Sequence, residues 1–211
     1  MKFGTKVIHS GLQIDPSTGA IITPIYQTAT YVQKSPGKNM GYEYSRTSNP
    51  TRVALEKNIA ALENGKCAIC YSSGMGAADA IIKLLRPGDE IISNKDIYGG
   101  TYRMFEQVFS GFGLKFKYTD LTDSKRIQSL LTPQTKLVWI ETPSNPLMNI
   151  IDVRAIKNIV KKYKSIILVV DNTFATPVLQ KPLDLGADIV LHSVTKYLGG
   201  HSDLIMGALI T

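Results

Sequence analysis

Short apolar runs alternate with amphipathic segments from about residue 67 to the last residue of the sequence. The runs are rich in Val and Ile, which is typical of strands buried on both faces of a parallel sheet. Between the runs, apolar residues recur with the spacing of a helix face. Strands are predicted at 67–71, 90–93, 114–118, 136–141, 166–170, 189–192 and 205–210, and helices at 51–62, 77–85, 101–109, 124–131 and 153–162.

This alternation predicts βαβ units with right-handed crossovers, and therefore an α/β fold with a mostly parallel sheet and helices on both of its faces. Residues 1–50 have no long periodic apolar pattern and are rich in Thr, Pro, Gly, Ser and Tyr. Long irregular segments often have a function of their own. We therefore predict an irregular arm at 1–50 and a large domain at 51–211.

Composition and charge exclude several classes of protein. The chain has 211 residues, of which 44% are hydrophobic and 19% charged, as in ordinary globular proteins. The net charge of +7 comes from scattered basic residues. We interpret the densest cluster, at 157–164, as the solvated face of a helix that buries Ile156, Ile159, Val160 and Tyr163. Because a basic arm, a zinc-finger pattern and an aromatic stripe are all missing, we do not expect nucleic acid as a partner.

The remaining compositional signals concern membranes and metals. No segment approaches the ~20 apolar residues that span a bilayer, and the N-terminus lacks the apolar core of a signal peptide. Cys67 and Cys70 fit a reducing compartment, and a second ligand pair for zinc is missing. We expect a cytoplasmic protein without a membrane partner or a metal, in which both cysteines are buried in the core.

Two charged residues at predicted strand ends carry the candidate chemistry. The amine of Lys196 can condense with an aldehyde to form a Schiff base, and the hydroxyls of Ser193 and Thr195 can bind a phosphate. Asp171 ends the run at 166–170, where parallel strands present their carboxyl ends to ligands, and its carboxylate can hold a protonated ring nitrogen. An aldehyde with a phosphate and a ring nitrogen indicates pyridoxal 5'-phosphate. The alternative is a turn-capping Asp171 and a solvated Lys196.

Two turns add candidate binding residues. Ser73, Gly74 and Met75 lie between a predicted strand and a helix, where backbone N–H groups and the helix N-terminus suit a phosphate. A dinucleotide fingerprint would need a third glycine, so a nicotinamide-dependent oxidoreductase is the weaker alternative. Tyr98 follows the strand at 90–93, and it can stack on a flat ring and transfer a proton. Taken alone, each turn is also consistent with an ordinary surface turn.

Six short segments stand out in the sequence: GYEYSRTSNPT at 41–51, SSGM at 72–75, YGGT at 98–101, ETPSNP at 141–146, VDNT at 170–173 and SVTKYLGGH at 193–201. Their order and spacing resemble the cystathionine γ-synthase and γ-lyase family of pyridoxal-phosphate enzymes, which also contains methionine γ-lyase. The resemblance extends from His9 to the last residue. It implies the large, cofactor-binding domain of fold-type I pyridoxal-phosphate enzymes.

The resemblance also implies roles for individual residues. Lys196 is expected to bind the cofactor covalently and then shuttle protons at the substrate. Asp171 is expected to pair with the ring nitrogen. Tyr98 is expected to stack on the ring and help to protonate the leaving group. The phosphate is expected to contact the turn at Ser73, the backbone N–H groups of Gly74 and Met75, and the side chains of Ser193 and Thr195.

Further roles implied by the resemblance reach beyond a single subunit. Tyr44 and Arg46 match the arm residues that complete the phosphate site of a neighbouring subunit in this family. A homo-oligomer, arranged as a dimer of dimers, is therefore expected. Asn145 is expected to orient the carboxylate of an amino-acid substrate or the cofactor. Family members continue into a smaller C-terminal domain with an Arg that binds the substrate carboxylate, and the sequence here stops at Thr211.

The implied reaction is γ-elimination on a sulfur amino acid, as in cystathionine γ-lyase, which gives cysteine, 2-oxobutanoate and ammonia. The first alternative is γ-replacement on an O-acylhomoserine, as in cystathionine γ-synthase. Gly100 stands where methionine γ-lyases usually have Cys, which disfavours that member. The second alternative is a fragment that binds the cofactor without catalysing a reaction.

Overall fold

A computed structural model describes residues 1–163 and 165–211. The chain divides into two compact units, Met1–Ala68 and Ile69–Thr211. The strands of the sheet, apart from the first residue of β1, belong to the second unit. The strands are β1 (Ala68–Tyr71), β2 (Glu90–Asn94), β3 (Lys115–Thr119), β4 (Thr135–Glu141), β5 (Ile167–Asp171), β6 (Ile189–Ser193) and β7 (Gly207–Ile210).

The described residues form a sheet of seven strands in the order β1-β7-β6-β5-β4-β2-β3. The pairs β2–β3, β2–β4, β4–β5 and β5–β6 are parallel, and β7 pairs with β6 in the antiparallel sense. The mostly parallel α/β sheet expected from the sequence is therefore confirmed. Because β2, β4, β5 and β6 run in the same direction, their carboxyl ends meet at one edge of the sheet.

Helices connect most of the strands, and caps define where several of them begin. The α-helices are α1 (Phe3–His9), α2 (Pro50–Leu62), α3 (Gly74–Ile82), α4 (Gly99–Arg103), α5 (Val153–Val160) and α6 (Thr176–Leu179). The Asn49 side chain accepts a 2.9 Å hydrogen bond from the Thr51 N–H at the start of α2. The Asp152 carboxylate caps α5 by accepting a 2.9 Å bond from the Ala155 N–H. Such caps satisfy backbone donors that the helix leaves unpaired.

The first unit is more regular than its sequence predicts, because α1 lies inside the segment expected to be irregular. This helix buries none of its own residues, so it leaves no apolar period to detect. It is held instead by polar contacts with α2 and the residues after it. Lys6 Nζ donates to Asn64 Oδ1 at 3.0 Å, and Asn58 Nδ2 donates to the Ser10 carbonyl at 2.8 Å.

Three predicted helices in the second unit differ from the structure. Helix α3 begins at Gly74, three residues before its predicted start, because the Ser73 hydroxyl caps it by accepting a 3.0 Å bond from the Gly76 N–H. The predicted helix at 101–109 begins as α4 and continues as a π-helix at Met104–Val108 and a 3₁₀-helix at Phe109–Phe112. The predicted helix at 124–131 is a 3₁₀-helix, Ser124–Ser129, and a further 3₁₀-helix lies at Pro182–Leu185.

The core of the second unit has two layers, one on each face of the sheet. In β4, Leu137 and Trp139 face the layer that contains α3 and the π-helix, where Phe105 stacks on Phe116 with ring centres 4.6 Å apart. Alternate residues of the same strand, Val138 and Ile140, face the layer that contains α5. Both faces are apolar, which explains the near-continuous runs in the sequence.

Two expectations about the periphery are corrected. Cys67 is exposed and Cys70 is half-buried, so the interpretation of both as buried core residues is wrong. Cys70 lies in β1 and Cys67 directly precedes it, and β1 is an edge strand of the sheet. On α5 the buried face contains Ile156 and Val160 as predicted, whereas Tyr163 lies beyond the end of the helix and is exposed. The last lysine of the basic cluster, Lys164, lies outside the described residues.

Within the described part of the chain, every helix is too short or too polar to cross a bilayer. The same residues contain no group of three or more His, Cys, Asp and Glu side chains that could bind a metal ion.

Candidate active site

One cavity of about 270 Å³ lies within the second unit, at the edge of the sheet where the parallel strands end. The cavity is lined by Glu141 and Asp171, the last residues of β4 and β5, which are partners in the strand register. The cavity brings together all the candidate site residues that the sequence analysis placed in this unit. These are Ser73, Gly74, Met75, Tyr98, Asn145, Asp171, Ser193, Thr195 and Lys196.

Asp171 is a buried residue, and one of its two carboxylate oxygens already accepts hydrogen bonds. Its Oδ1 accepts 3.0 and 2.6 Å hydrogen bonds from the backbone N–H and the hydroxyl of Thr173. No described residue donates a hydrogen bond to Oδ2. Burial raises the pKa of the Asp171 carboxyl, although the Thr173 bonds and the charge of His192 oppose the shift. A cationic donor placed at Oδ2 would stabilise the ionised carboxylate.

Glu141 binds two loops that the chain brings to the cavity from different directions. Its Oε2 accepts a 2.7 Å hydrogen bond from the Tyr98 N–H, and its Oε1 accepts a 2.8 Å bond from the Asn145 N–H. Burial, and then the neighbouring charge of Asp171, raise the pKa of the Glu141 carboxyl to about 8. The Tyr98 side chain is exposed at the rim, where it lines the cavity.

A turn of small residues forms the side of the cavity near β6. Gly74 is the first residue of α3, so its N–H and that of Met75 belong to the unpaired donors at a helix N-terminus. A Cβ at position 74 would lie 2.8 Å from the Ser193 Cβ and 3.0 Å from its Oγ, so only glycine allows this approach. The Ser193 hydroxyl has no hydrogen-bond partner among the described residues. This group of donors is suited to an anion.

Lys196 lies in a turn fixed from both sides. The Thr195 hydroxyl accepts a 3.0 Å bond from the Met206 N–H and donates to the Met206 carbonyl at 3.3 Å, which ties the turn to the residue before β7. The Lys196 N–H donates to the Ser193 carbonyl at 3.1 Å. The Lys196 side chain is exposed, lines the cavity and forms no ion pair within the described part of the chain. Its amine is therefore available for reaction.

The two predicted arm residues belong to the first unit. The Arg46 guanidinium lies over the Tyr44 ring, 5.0 Å from the ring centre, and both side chains are exposed. Below them, the Arg52 guanidinium donates 2.9 Å bonds to the carbonyls of Ser45 and Thr47. These bonds fix the backbone of the loop that carries Tyr44 and Arg46. Their action in the site of a neighbouring subunit remains a prediction.

Among the polar residues that line the cavity, sequence reasoning gave no role to Thr101, Glu141 or Thr173. Glu141 ends an apolar strand as Asp171 does, and this signal was present in the sequence. Thr173 connects two parts of the site, because its hydroxyl donates to Asp171 Oδ1 and accepts a 2.9 Å bond from the Ser193 N–H. Its role depends on the register of β5 against β6, which sequence periodicity does not define.

Comparison with known proteins identifies the family of the chain. Residues 4–211 match the family described as Cys/Met metabolism PLP-dependent enzymes, where PLP is pyridoxal 5'-phosphate. The chain belongs to this family. The family resemblance inferred from the six segments, and pyridoxal phosphate as the cofactor, are thus confirmed.

Similar proteins in this PLP-dependent family have several names. A cystathionine beta-lyase of Coxiella burnetii is 52% identical over 98% of this chain and 53% of its own length. A cystathionine gamma-lyase of Dictyostelium discoideum is 51% identical over 100% of this chain and 54% of its own. A probable cystathionine gamma-synthase of Herpetosiphon aurantiacus is 48% identical over 99% and 65%. The chain thus spans between about half and two thirds of the length of these relatives.

Solved structures of the family have the same fold. The crystal structure of metB from Corynebacterium glutamicum superposes with a TM-score of 0.98 at 45% identity, over 100% of this chain and 55% of that one. Cystathionine gamma-lyase from Lactobacillus plantarum complexed with L-serine gives a TM-score of 0.96 at 46% identity, with the same coverage. The described fold is therefore that of the corresponding part of PLP-dependent family members.

The residues of the cavity fit pyridoxal phosphate. Asp171 offers a carboxylate oxygen, Oδ2, to which none of the described residues donates, and this oxygen suits a protonated ring nitrogen. The helix N-terminus at Gly74 and the Ser193 hydroxyl suit the phosphate, and the amine of Lys196 suits the aldehyde. The cavity therefore has groups that complement the ring nitrogen, the phosphate and the aldehyde of pyridoxal phosphate, the cofactor of this PLP-dependent family.

Proposed function

We propose that the protein catalyses γ-elimination on a sulfur amino acid, as cystathionine γ-lyases do. Cystathionine and water would give cysteine, 2-oxobutanoate and ammonia. The single observation that carries the proposal is the presence of Lys196 and Asp171 in one cavity, with Tyr98 at its rim. A 51% identical relative named cystathionine gamma-lyase supports the choice of reaction.

Each residue would contribute a defined step. When bound, pyridoxal phosphate supplies an electron sink for negative charge that develops on the substrate. Asp171 would hold the ring nitrogen in its protonated form through Oδ2. The Nζ atom of Lys196 would accept the proton from the substrate Cα and return it to a neighbouring carbon. Tyr98 Oη would donate a proton to the departing sulfur, and the donors at Gly74 and Ser193 would bind the phosphate.

We also propose that the active protein is a homo-oligomer in which Tyr44 and Arg46 contact the phosphate of a neighbouring subunit. Both side chains are exposed, and the guanidinium stacks on the aromatic ring. An exposed cation on a fixed loop is suited to bind a phosphate that another chain presents. The amino-acid substrate would enter the same cavity, where Asn145 would orient its carboxylate or the cofactor.

Product analysis tests the reaction. The purified protein is incubated with pyridoxal phosphate and cystathionine, and the 2-oxo acid and the thiol are identified by mass spectrometry. We expect 2-oxobutanoate together with cysteine. Pyruvate with homocysteine would instead indicate β-elimination, the reaction that the name of the Coxiella burnetii relative describes.

A second candidate function is γ-replacement on an O-acylhomoserine, because relatives named cystathionine gamma-synthase are 48% identical to the chain. In that reaction cysteine would replace the acyloxy group and cystathionine would accumulate. Incubation with O-succinylhomoserine or O-acetylhomoserine and cysteine separates the two candidates. If cystathionine forms faster than 2-oxobutanoate, γ-replacement is favoured. If the protein binds the cofactor but yields no product from any of these substrates, the proposal of a catalytic role is wrong.

A further inference from the structure

We propose that Glu141 is a positioning residue whose carboxylate joins the Tyr98 loop to the Asn145 loop when the cofactor binds at the neighbouring Asp171. The inference rests on the proposed function, because that function identifies the reaction. Its test requires only that the protein binds the cofactor. In this proposal, Glu141 sets the distance between Tyr98, which would stack on the ring, and Asn145, which would orient the substrate or the cofactor.

The geometry of the carboxylate supports the proposal. Its two oxygens accept one backbone N–H each, from Tyr98 at 2.7 Å and from Asn145 at 2.8 Å. These donors belong to loops that follow different strands, β2 and β4. A carboxylate can accept at both oxygens at once, whereas an amide presents an NH₂ donor at one of them. The isosteric replacement by Gln therefore leaves one of the two N–H groups opposite another donor.

The backbone of Glu141 is itself fixed by a buried side chain. Its N–H donates to Asn94 Oδ1 at 3.0 Å, and the Asn94 amide donates to the Glu141 carbonyl at 3.4 Å. The same amide also donates to the Asp96 carbonyl. The loop from Asn94 to Tyr98 is thus attached to Glu141 at the main chain and at the carboxylate. A shift of Glu141 would move this loop as a unit.

The charges around Glu141 connect this arrangement to the cofactor. Asp171 is its partner in the strand register, and the charge of Asp96 also raises the pKa of Glu141. Within the described part of the chain, the charge of His192 acts on Asp171 and opposes the rise in its pKa. Lys196 lines the same cavity. Burial and the Asp171 charge raise the pKa of the Glu141 carboxyl to about 8, which favours the protonated form at neutral pH.

A cationic ring nitrogen at Asp171 would reverse this preference. The added positive charge would offset the repulsion between the two carboxylates and favour the ionised form of Glu141. Ionisation would strengthen both hydrogen bonds, because charged acceptors form the stronger bonds. Cofactor binding and the positions of the Tyr98 and Asn145 loops would therefore be coupled through one side chain.

The test compares the affinity for pyridoxal phosphate of the parent protein, Glu141→Gln and Glu141→Asp, measured by absorbance titration. Loss of one charge-assisted bond weakens binding between about 10-fold and 100-fold. We expect this loss in both variants, because Asp retains the charge but is too short to reach both N–H groups. We also expect the circular dichroism of the bound cofactor to change, since the ring would stack differently against Tyr98.

Glu90→Gln is the matched control, because Glu90 is also a buried carboxylate but lies at the opposite end of a strand, where Lys117 and Thr132 bind it. It should bind the cofactor as the parent does. Parent-like affinity and circular dichroism in both Glu141 variants would overturn the proposal. If only Glu141→Gln lost affinity, charge alone would be sufficient and the joining of the two loops would be wrong. Neither result depends on which substrate the protein uses, so failure of the proposed reaction would be recognised separately.

Discussion

Lys196 combines two properties that catalytic amines need. It lies in a turn held by the hydrogen bonds of Thr195 to Met206, and its amine is accessible from the cavity. A rigid backbone with an unpaired amine lets the group react without first breaking an ion pair.

We therefore expect Lys196→Ala to abolish the visible absorbance band of the covalently bound cofactor. Turnover should fall by at least about 100-fold, because a positioned acid–base group contributes about that much. Absorbance spectra and initial rates with cystathionine measure both effects. Lys161→Ala, at an exposed lysine that follows α5, serves as the control and should change neither. A retained band in Lys196→Ala would exclude Lys196 as the site of attachment.

The pair of carboxylates predicts how stability depends on pH in the cofactor-free protein. The pKa of Glu141 is raised in the folded chain from 4.5 to about 8, so folding favours its protonated form. This contribution is complete below pH 4.5 and is lost as the pH rises to about 8. Its size is on the order of a few kcal/mol.

Chemical denaturation between pH 5 and 8 measures this effect as the difference between the parent protein and Glu141→Gln. We expect the parent to lose stability relative to the variant as the pH rises. Glu90 provides a control of opposite sign, because its hydrogen bond from Lys117 lowers its pKa. The contribution of Glu90 is present above its ordinary pKa and is lost only as the pH falls below it. A constant difference between the parent and Glu141→Gln would contradict the assigned shift.

At the scale of single residues, the sequence predicted the site best where a charged residue ends or closely follows an apolar run. Asp171 and Lys196 were found because parallel strands deliver their ends to one edge, and the structure brings both to one cavity. Glu141 has the same signal, but its function became visible only through bonds to the Tyr98 and Asn145 loops. The burial of Cys67 and Cys70 is wrongly predicted because their apolar neighbours do not reveal that β1, which contains Cys70 and directly follows Cys67, is an edge strand.

At the scale of elements, β7 lies directly against the turn at Ser73 and Gly74, the proposed phosphate site. It begins at Gly207, where a Cβ would lie 2.2 Å from the Ser73 carbonyl oxygen and 2.8 Å from the Gly74 Cα. Both contacts are with backbone atoms, which cannot turn aside as a side chain can. The absence of a side chain at this position therefore sets how closely β7 approaches the start of α3.

Gly207→Ala should displace the turn at Ser73 and Gly74. We expect a loss of about 1 to 3 kcal/mol in the free energy of unfolding, as for other overpacked sites, together with weaker binding of pyridoxal phosphate. Urea denaturation and absorbance titration measure the two effects. Gly111→Ala is the matched control, because a Cβ at position 111 meets no atom within 4 Å. An unchanged affinity in Gly207→Ala would show that the turn tolerates the added methyl group.

The elements that periodicity predicted well are those buried on both faces, such as β4 and β5. The elements that periodicity missed, or assigned to the wrong type of helix, depend on local polar contacts. The helix α1 has no buried face, and the 3₁₀-helix Ser124–Ser129 buries only Ile127.

For the molecule as a whole, the proposed exchange of Tyr44 and Arg46 between subunits predicts complementation. Arg46→Ala and Lys196→Ala would each be inactive alone, but a mixed dimer would contain one site with both native residues. Random mixing places about half of the chains in mixed dimers, so we expect recovery of about a quarter of the parent activity. Rates measured after dissociation and reassociation of the mixture test this. No recovery, with mixed dimers verified by mass spectrometry, would place Arg46 in its own subunit's site.

Natural substitutions in the two-layer core around β4 have different effects from substitutions in the loops beyond the strand ends. Substitutions at Leu137, Val138, Trp139 or Ile140 alter packing, and their main effect would be on how much folded protein a cell accumulates. Substitutions in the loops beyond the strand ends alter the cavity while the scaffold persists. A lineage can thus acquire a new reaction by drift in these loops without losing its fold. Relatives about half identical to this chain, with lyase and synthase names, are the outcome that such a division permits.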